Sequence, residues 1–205
     1  MQVARKGLIM VENFSEWKLQ GEEIEQCLIQ GQTIGQIEDS LVVRDCIFDN
    51  VTFVDCDFTK SDFTNVLFRK CDFSNCVVAD SSFYKVRFER CKLVGTNMSE
   101  GFFKETEFYQ VLGSYSNFSE SKWNKSQLEG SIFRNAYFNH NEFKSMEFKS
   151  CELRSASFLQ NKLEGMDFTT CHIEGLEVGI AEIKGMKVTT AQAIGFLNLL
   201  QLNIL

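Results

Sequence analysis

Cysteine is the residue type in this sequence that most directly suggests metal or redox chemistry. No two of the cysteines form a C-x-x-C pair, and His140 and His172 are the only histidines. A zinc site would need four such ligands at compact spacing. The eight cysteines instead follow a five-residue spacing with one shift of frame near residue 40, at positions 27, 46, 56, 71, 76, 91, 151 and 171. We therefore predict that they are small buried residues, with no metal site and no cofactor.

The sequence offers no recognisable set of catalytic residues. It contains no nucleophile elbow, no phosphate-binding loop and no histidine with a plausible triad partner. Several serines share the position that the cysteines occupy, at 61, 81, 116, 121, 126 and 131. We predict that the protein has no catalytic residues and is not an enzyme.

The overall charge indicates which partners suit the chain. Its 205 residues carry a formal net charge of −7. Nucleic-acid binding needs clustered Lys and Arg, so we predict no direct binding of nucleic acid, whereas a basic protein partner is compatible. No apolar run is long enough for a signal peptide or for a membrane span of about 18 residues. We predict a cytoplasmic protein with no membrane association.

The positions of phenylalanine predict the structure that holds these residues. Residues 51–73 read VTFVDCDFTKSDFTNVLFRKCDF, with Phe at every fifth position from 53 to 73. Thirty positions in this register run from Val43 to Val188, and 17 of the 20 phenylalanines lie on them. Gly113 is the one position of the thirty without a large apolar side chain, and it predicts a bend or a packing defect. Neither a straight helix nor a straight strand can keep a period of five on one face. The chain must turn a corner within each repeat, which predicts a solenoid with phenylalanine inside.

A second selected position lies two residues before each of these centres. It holds mostly Cys, Ser, Val, Thr and Ala, as in CDF at 71–73 and AYF at 136–138. Alternation within a short strand places both positions on the inner face and the residue between them in solvent. Proline, which would remove a donor from the backbone ladder, is absent throughout.

This pattern resembles the pentapeptide-repeat family over residues 41–190. The resemblance implies an all-β fold, a right-handed quadrilateral parallel β-helix with four pentapeptides in each coil. Thirty repeats would make about seven and a half coils, with a length of roughly 36 Å at the spacing of stacked strands.

Both ends of the repeat predict caps. Residues 1–40 keep a weaker repeat in a shifted frame and predict irregular coils or a capping hairpin, with centres at Phe14, Leu19, Ile24, Ile29 and Ile34. Residues 191–205 predict a short C-terminal α-helix over about 191–200, followed by a strand. This segment is apolar, and we predict a homodimer joined through it, with contacts at Ile194, Phe196, Leu197 and Leu200.

Four sides per coil would place residues twenty apart above one another. One side is predominantly acidic, with Lys60 as its only Lys or Arg, and carries Asp57, Asp80, Glu100, Glu120 and Glu177. Asp80, Glu100 and Glu120 would form one column at about 4.8 Å spacing. Stacked like charges cost stability unless solvent screens them or a partner binds them. We predict that these five residues form a partner-binding face; an ordinary solvated exterior is the alternative.

The end of the chain resembles one subgroup of this family in particular. GMKVTTAQAIGFLNLLQLNIL, with Val188, Gln192 and Ala193, is similar to the final coil and helix start of the Qnr-type quinolone-resistance proteins and their mycobacterial relative. The resemblance implies a dimeric rod like duplex DNA in size and charge. Such a rod would bind DNA gyrase and topoisomerase IV and protect them from quinolone-type drugs.

The unbroken register from 43 to 188 departs from this family, because several members carry loops that project from the rod and are needed for protection. Inhibition of the topoisomerase is therefore as open as protection. The second hypothesis is a cytoplasmic pentapeptide-repeat scaffold that binds another protein and is unrelated to topoisomerases. An enzyme is the third.

Overall fold

The computed structural model describes residues 7–14 and 23–200. Within these ranges the chain is nearly all parallel β structure, wound into a solenoid of about seven turns with one short helix at its C-terminal end. The predicted quadrilateral β-helix is confirmed. Two predicted features lie partly or wholly outside the described residues: the N-terminal segment, at 1–6 and 15–22, and the strand expected at 201–205. The division of the chain into three parts stays a prediction.

The strands are short because the chain bends after each pentapeptide. They are β1 (Ile9–Val11), β2 (Glu23–Glu25), β3 (Cys27–Gln30), β4 (Thr33–Gly35), β5 (Val42–Arg44), β6 (Ile47–Asp49), β7 (Thr52–Val54), β8 (Asp62–Thr64), β9 (Leu67–Arg69), β10 (Ser82–Tyr84), β11 (Arg87–Glu89), β12 (Phe102–Lys104), β13 (Glu107–Tyr109), β14 (Lys122–Glu129) and β15 (Glu142–Lys149).

Parallel ladders stack these strands into the faces of the rod. One face has the order β2-β5-β8-β10-β12-β14 and the next has β1-β3-β6-β9-β11-β13-β14, because β14 continues around the corner between them. β15 pairs with β14 along both faces. Among the described residues, the other two faces are joined by β4 with β7 and by single bridges such as Asn97 with Asn117.

The ladder register fixes which residues lie above one another. From β5 onward the partners are twenty residues apart, as in Val43 with Phe63. Earlier coils are shorter: the partners are nineteen apart in Ile24 with Val43 and eighteen apart in Ile9 with Cys27. The shorter coil accounts for the shift of frame seen in the sequence between Ile34 and Val43.

The corners place non-glycine residues in the left-handed backbone region. Lys85, for example, has a φ of 54° and Asn65 a φ of 55°. This conformation is unfavourable for a residue with a Cβ. A hydrogen bond to the next coil compensates, since the Lys85 N–H donates to the Lys104 carbonyl at 2.9 Å and the Asn65 N–H to the Tyr84 carbonyl at 2.9 Å.

The phenylalanines fill the interior as stacked columns, as predicted. Phe83 lies between Phe63, at 5.2 Å between ring centroids, and Phe103, at 4.9 Å, and all three are buried. Trp123 continues the column at 4.1 Å from Phe103. Such pairs contribute about 0.5–1.5 kcal/mol each beyond the area they bury.

Gly113 leaves no void in this core. A Cβ at Gly113 would lie 2.2 Å from Cε1 of Phe133, so the ring of the next coil occupies the space that a side chain would need. The packing defect expected from the sequence is therefore filled by a neighbour.

The C-terminal segment does not form the single helix that the sequence predicted. Helix α1 (Thr190–Gly195) ends at Phe196, and a 3₁₀-helix (Leu197–Leu200) follows. The N–H of Phe196 donates to the carbonyls of Ala193 and Ile194, which closes the last turn and ends the α-helix. The predicted helix over 191–200 is thus two shorter elements, because Phe196 packs against the core.

The inward small residues satisfy backbone groups at the corners. The Ser121 hydroxyl accepts a hydrogen bond from the Gly101 N–H at 3.0 Å and donates to the Ser119 carbonyl at 3.3 Å. Cysteines at equivalent positions donate to carbonyls, as Cys91 does to Phe68 at 3.3 Å. All eight cysteines are buried and free, and burial raises the pKa of the Cys46 thiol to about 12.

Replacement of Ser121 by alanine should destabilise the rod, because it leaves the buried Gly101 N–H without a partner. We expect a loss of about 1–3 kcal/mol in the free energy of unfolding, measured by urea denaturation. Ser119→Ala, at a partly exposed position two residues before Ser121, is the matched control and should change stability by less than about 0.5 kcal/mol. Equal effects of the two variants would contradict the proposed role of the inward hydroxyl.

Replacement of Gly113 by alanine should also destabilise, because the new methyl group would displace the Phe133 ring. Overpacking of this kind costs about 1–3 kcal/mol. Gly195→Ala is the control, since a Cβ at Gly195 meets nothing within 4 Å. Thermal denaturation, monitored by circular dichroism, gives the melting temperatures of both variants. An unchanged melting temperature for Gly113→Ala would show that the core accommodates the methyl group.

Candidate protein-binding face

The acidic edge consists of Asp80, Glu100 and Glu120, which occupy equivalent corner positions in three successive coils. Their φ angles are 52°, 59° and 61°. Each N–H donates to a carbonyl of the next coil, at 2.9 Å for Asp80, 2.9 Å for Glu100 and 2.8 Å for Glu120. The backbone ladder therefore holds the three carboxylates in one row, about 4.8 Å apart along the rod.

The carboxylates of the acidic edge are exposed and unpaired. No described Lys, Arg or His side chain forms a salt bridge with Asp80, Glu100 or Glu120, whereas other acidic residues of the rod have basic partners. The column begins with Lys60 before Asp80 and continues with His140 after Glu120. The row is thus a local concentration of negative charge that only solvent or a partner can neutralise.

The structure does not bring Asp57 and Glu177 into this row. They lie in a neighbouring column, in which Asp57 follows Glu38 and uncharged residues such as Asn97 and Asn117 separate it from Glu177. The Asp57 carboxylate also has a local role, because it accepts hydrogen bonds from the Thr59 N–H at 2.9 Å and the Thr59 hydroxyl at 2.5 Å. Of the five acidic residues named from the sequence, three are contiguous.

A flat face adjoins the acidic edge. In residues 96–100 and 116–120 its outward residues are short or folded back onto the backbone: the Asn97 side chain accepts the Ser99 N–H at 3.2 Å, and the Asn117 side chain accepts the Ser119 N–H at 3.0 Å. The corresponding stretches 76–80, 96–100, 116–120 and 136–140 contain neither Lys nor Arg.

Two exposed tyrosines lie on this side of the rod: Tyr115 is at the corner opposite the acidic edge, and Tyr137 is on the face itself, where it pairs with Asn117. Tyr115 is 61% exposed and Tyr137 is 47% exposed. Neither residue was singled out from the sequence, although each occupies an outward position of the repeat, where a large aromatic side chain is a signal of binding.

The C-terminal elements close the last coil. Thr189 and Gln192 form a reciprocal capping box at the start of α1, and the Gln192 side chain donates to the carbonyls of Phe168 and Cys171 at 2.9 and 2.8 Å. Of the expected dimer contacts, Ile194 is 60% exposed, Phe196 packs against the core and Leu197 is half-buried. Leu200 ends the 3₁₀-helix.

Family models match most of the regular coils. One, described as pentapeptide repeats in eight copies, matches residues 43–75, and another, described as a pentapeptide repeat region, matches residues 61–143. The chain is a pentapeptide-repeat protein.

Solved pentapeptide-repeat structures share its architecture. A trypsin-treated variant of QnrB1, a plasmid-mediated fluoroquinolone resistance protein, is similar with a TM-score of 0.50 and 16% identity over 87% of this chain and 91% of that one. HetL, involved in heterocyst differentiation regulation in the cyanobacterium Nostoc sp. strain PCC 7120, has a TM-score of 0.49 and 7% identity over 88% of this chain and 94% of its own. No curated protein sequence matches the chain. At 16% identity the likeness to QnrB1 shows the fold alone.

Other kinds of site find no support in the part of this pentapeptide-repeat protein that the structure describes. Residues 7–14 and 23–200 contain no group of three or more His, Cys, Asp and Glu side chains that could hold a metal ion. In the same ranges no helix is long and apolar enough to cross a membrane. The acidic edge, with the flat face beside it, is the candidate functional site.

Proposed function

We propose that the protein is a DNA mimic that binds DNA gyrase, topoisomerase IV or both, and protects them from quinolone-type inhibitors or modulates their activity. The observation that carries this proposal is the acidic edge, a straight row of carboxylates that form no salt bridge with any residue the structure describes. Duplex DNA carries one charge per ~3.4 Å along each strand, and the edge presents one per ~4.8 Å. About seven coils at that spacing give a rod of roughly 34 Å, close to one turn of DNA.

An acidic rod of this size can compete for a surface built to hold DNA. A topoisomerase must present clustered basic residues to the phosphate backbone, and such a surface attracts any partner with complementary potential. The fold shared with QnrB1, named as a fluoroquinolone resistance protein, adds support to the choice of topoisomerase. We place this activity in the cytoplasm and assign it no catalytic step.

We also propose that two copies join at their C-terminal ends. The apolar segment that ends the rod includes the exposed Ile194 and the half-buried Leu197. A solenoid end exposes its last coil unless something covers it. A dimer through Ile194, Phe196, Leu197 and Leu200 would cover the C-terminal end of each copy and double the length of the rod.

A scaffold that binds another protein, unrelated to topoisomerases, is the second candidate function. The exposed side chains of Tyr115 and Tyr137 favour it, because a mimic of phosphate charge alone needs no exposed tyrosine. Both candidates use the same side of the rod, so the identity of the partner separates them.

Charge reversal of the acidic edge should abolish topoisomerase binding. We expect Asp80→Lys, Glu100→Lys and Glu120→Lys, combined, to remove the effect of the protein on gyrase supercoiling in the presence and absence of ciprofloxacin. The variant should stay folded, because these side chains are exposed and make no described salt bridge. Supercoiling gels with increasing amounts of each protein measure binding, protection and inhibition together.

The control reverses three exposed carboxylates on other faces of the rod, Glu142→Lys, Glu164→Lys and Asp167→Lys. It changes the net charge of −7 by the same amount as the first variant. Retained activity in the control and loss in the edge variant would assign the effect to this row. An edge variant as active as wild type would remove the assignment, and wild-type protein without effect on gyrase or topoisomerase IV would favour the scaffold.

Ile194→Asp should convert the dimer to a monomer, because it places a charge in the apolar contact. Sedimentation equilibrium of wild type and variant at matched concentrations measures the change in mass. Gly195→Asp, beside the contact on the same helix, serves as a charge control. A wild-type monomer at all concentrations, or a dimer that Ile194→Asp leaves intact, would contradict this mode of association.

A further inference from the structure

The cysteines of the core lie above one another in adjacent coils. The ladder registers give four stacked pairs and leave no cysteine single: Cys27 with Cys46, Cys56 with Cys76, Cys71 with Cys91, and Cys151 with Cys171. Serine and threonine satisfy the same backbone groups at equivalent positions, as Ser121 and Thr106 do. The structural role of a small inward residue therefore accounts for the burial of each cysteine but not for their occurrence in pairs.

The two thiols of a pair have the same orientation. Cys151 donates to the Leu128 carbonyl at 3.3 Å, and Cys171 donates to the equivalent carbonyl one coil later, that of Phe148, at 3.6 Å. Parallel side chains at the ladder spacing hold their sulfur atoms roughly 4–5 Å apart. Two metal–thiolate bonds of about 2.3 Å in a line span about 4.6 Å, whereas a disulfide needs the sulfur atoms about 2 Å apart. The geometry of a pair thus suits a bridging metal ion better than a disulfide.

The pair at the C-terminal end of the rod is the one that an ion can reach. Cys171 is 5% exposed, the largest value among the eight cysteines. A cavity of about 160 Å³ lies between its coil and α1, with Ile173, Leu176 and Gln192 among the lining residues. The Gln192 side chain donates to the Cys171 carbonyl at 2.8 Å, so the cavity ends beside this cysteine.

The same end of the core holds further soft donors. Three of the six methionines, Met146, Met166 and Met186, occupy the inward small-residue position of the neighbouring face in successive coils. Thiolate and thioether sulfur select Cu(I) over hard cations, which prefer carboxylates. A hydrogen bond with Cys151 lowers the pKa of Cys171 to about 7, although burial acts in the opposite direction. A thiol proton can therefore leave this pair near neutral pH.

We propose that Cys151 and Cys171 together bind one soft monovalent cation, with Cu(I) as the ion available in cells. The cation displaces the proton of Cys171, which leaves to solvent, and the neutral sulfur of Cys151 completes the pair as a thioether would. The thiolate and the cation cancel, so the bound ion adds no net charge to the apolar core. Copper enters and stays as Cu(I), and no electron is transferred. The inference is independent of the acidic edge and of the proposed function.

Transfer of Cu(I) to the full chain tests this inference. The purified protein is titrated into Cu(I) bicinchoninate under nitrogen, and the loss of the colour of the chelate gives the number of ions bound. We expect one ion per chain for wild type. Cys151→Ser, Cys171→Ser and the double variant should each bind this ion at least a hundredfold more weakly, because either sulfur alone supplies one ligand. The double variant should therefore lose no more copper than either single variant.

The matched control is Cys71→Ser combined with Cys91→Ser. This pair occupies the same column of the rod, but it is at most 1% exposed and has further coils on both sides. The control variant should bind Cu(I) within twofold of wild type. Circular dichroism shows whether each variant is folded, and serine keeps a hydroxyl donor for the backbone carbonyls, as at Ser121.

X-ray absorption at the copper edge of the loaded wild-type protein keeps the test valid if a variant fails to fold. We expect two sulfur neighbours for each copper ion. Copper bound mainly by nitrogen or oxygen, or a wild-type protein that takes up no Cu(I), would overturn the inference. So would equal loss of copper from the control variant, or single variants at Cys151 and Cys171 that each keep the ion.

Discussion

The backbone ladder between coils is the constraint on which the rest of this structure depends. Because its register is twenty residues from β5 onward, every position lies above the equivalent position of the coil before. Phe63, Phe83 and Phe103 stack for this reason, and so do Asp80, Glu100 and Glu120. Stacking is favourable for aromatic rings and unfavourable for like charges, yet both follow from one pattern of hydrogen bonds.

The ladder also explains why two kinds of inward residue are needed. Large rings fill the interior, but the corners leave backbone groups that a ring cannot satisfy. Small polar residues such as Ser121 and Cys91 supply a donor or an acceptor there without taking up volume. The burial of the cysteines and the raised pKa of Cys46 are consequences of this structural role, and no described cysteine needs a metal or a disulfide to account for it.

The sequence period predicted the solenoid and its inward positions because both depend on local alternation and on a fixed repeat. The shorter coil before Val43 was visible for the same reason, as one missing residue. Features that depend on packing between distant residues were not visible, such as the ring of Phe133 over Gly113 and the end of the helix at Phe196. The hydrogen bonds of Asp57 with Thr59 are local, but they depend on side-chain conformation, which the period does not report. The acidic edge was predicted as a column, but its separation from Glu177 and its relation to Tyr115 required the arrangement of all four faces.

The acidic edge differs from the other charged columns in a way that argues for use by a partner. Elsewhere the register places opposite charges one above the other, as in Asp49 with Arg69 and Asp72 with Lys92, and the stacking constraint becomes a set of salt bridges. Between residues 42 and 188 no other column has three successive residues of like charge. A lysine in place of Glu100 would restore alternation and relieve the repulsion, so stability alone does not favour the observed sequence. A row that costs stability, faces solvent and borders a face without Lys or Arg has the properties of a binding surface retained for its partner.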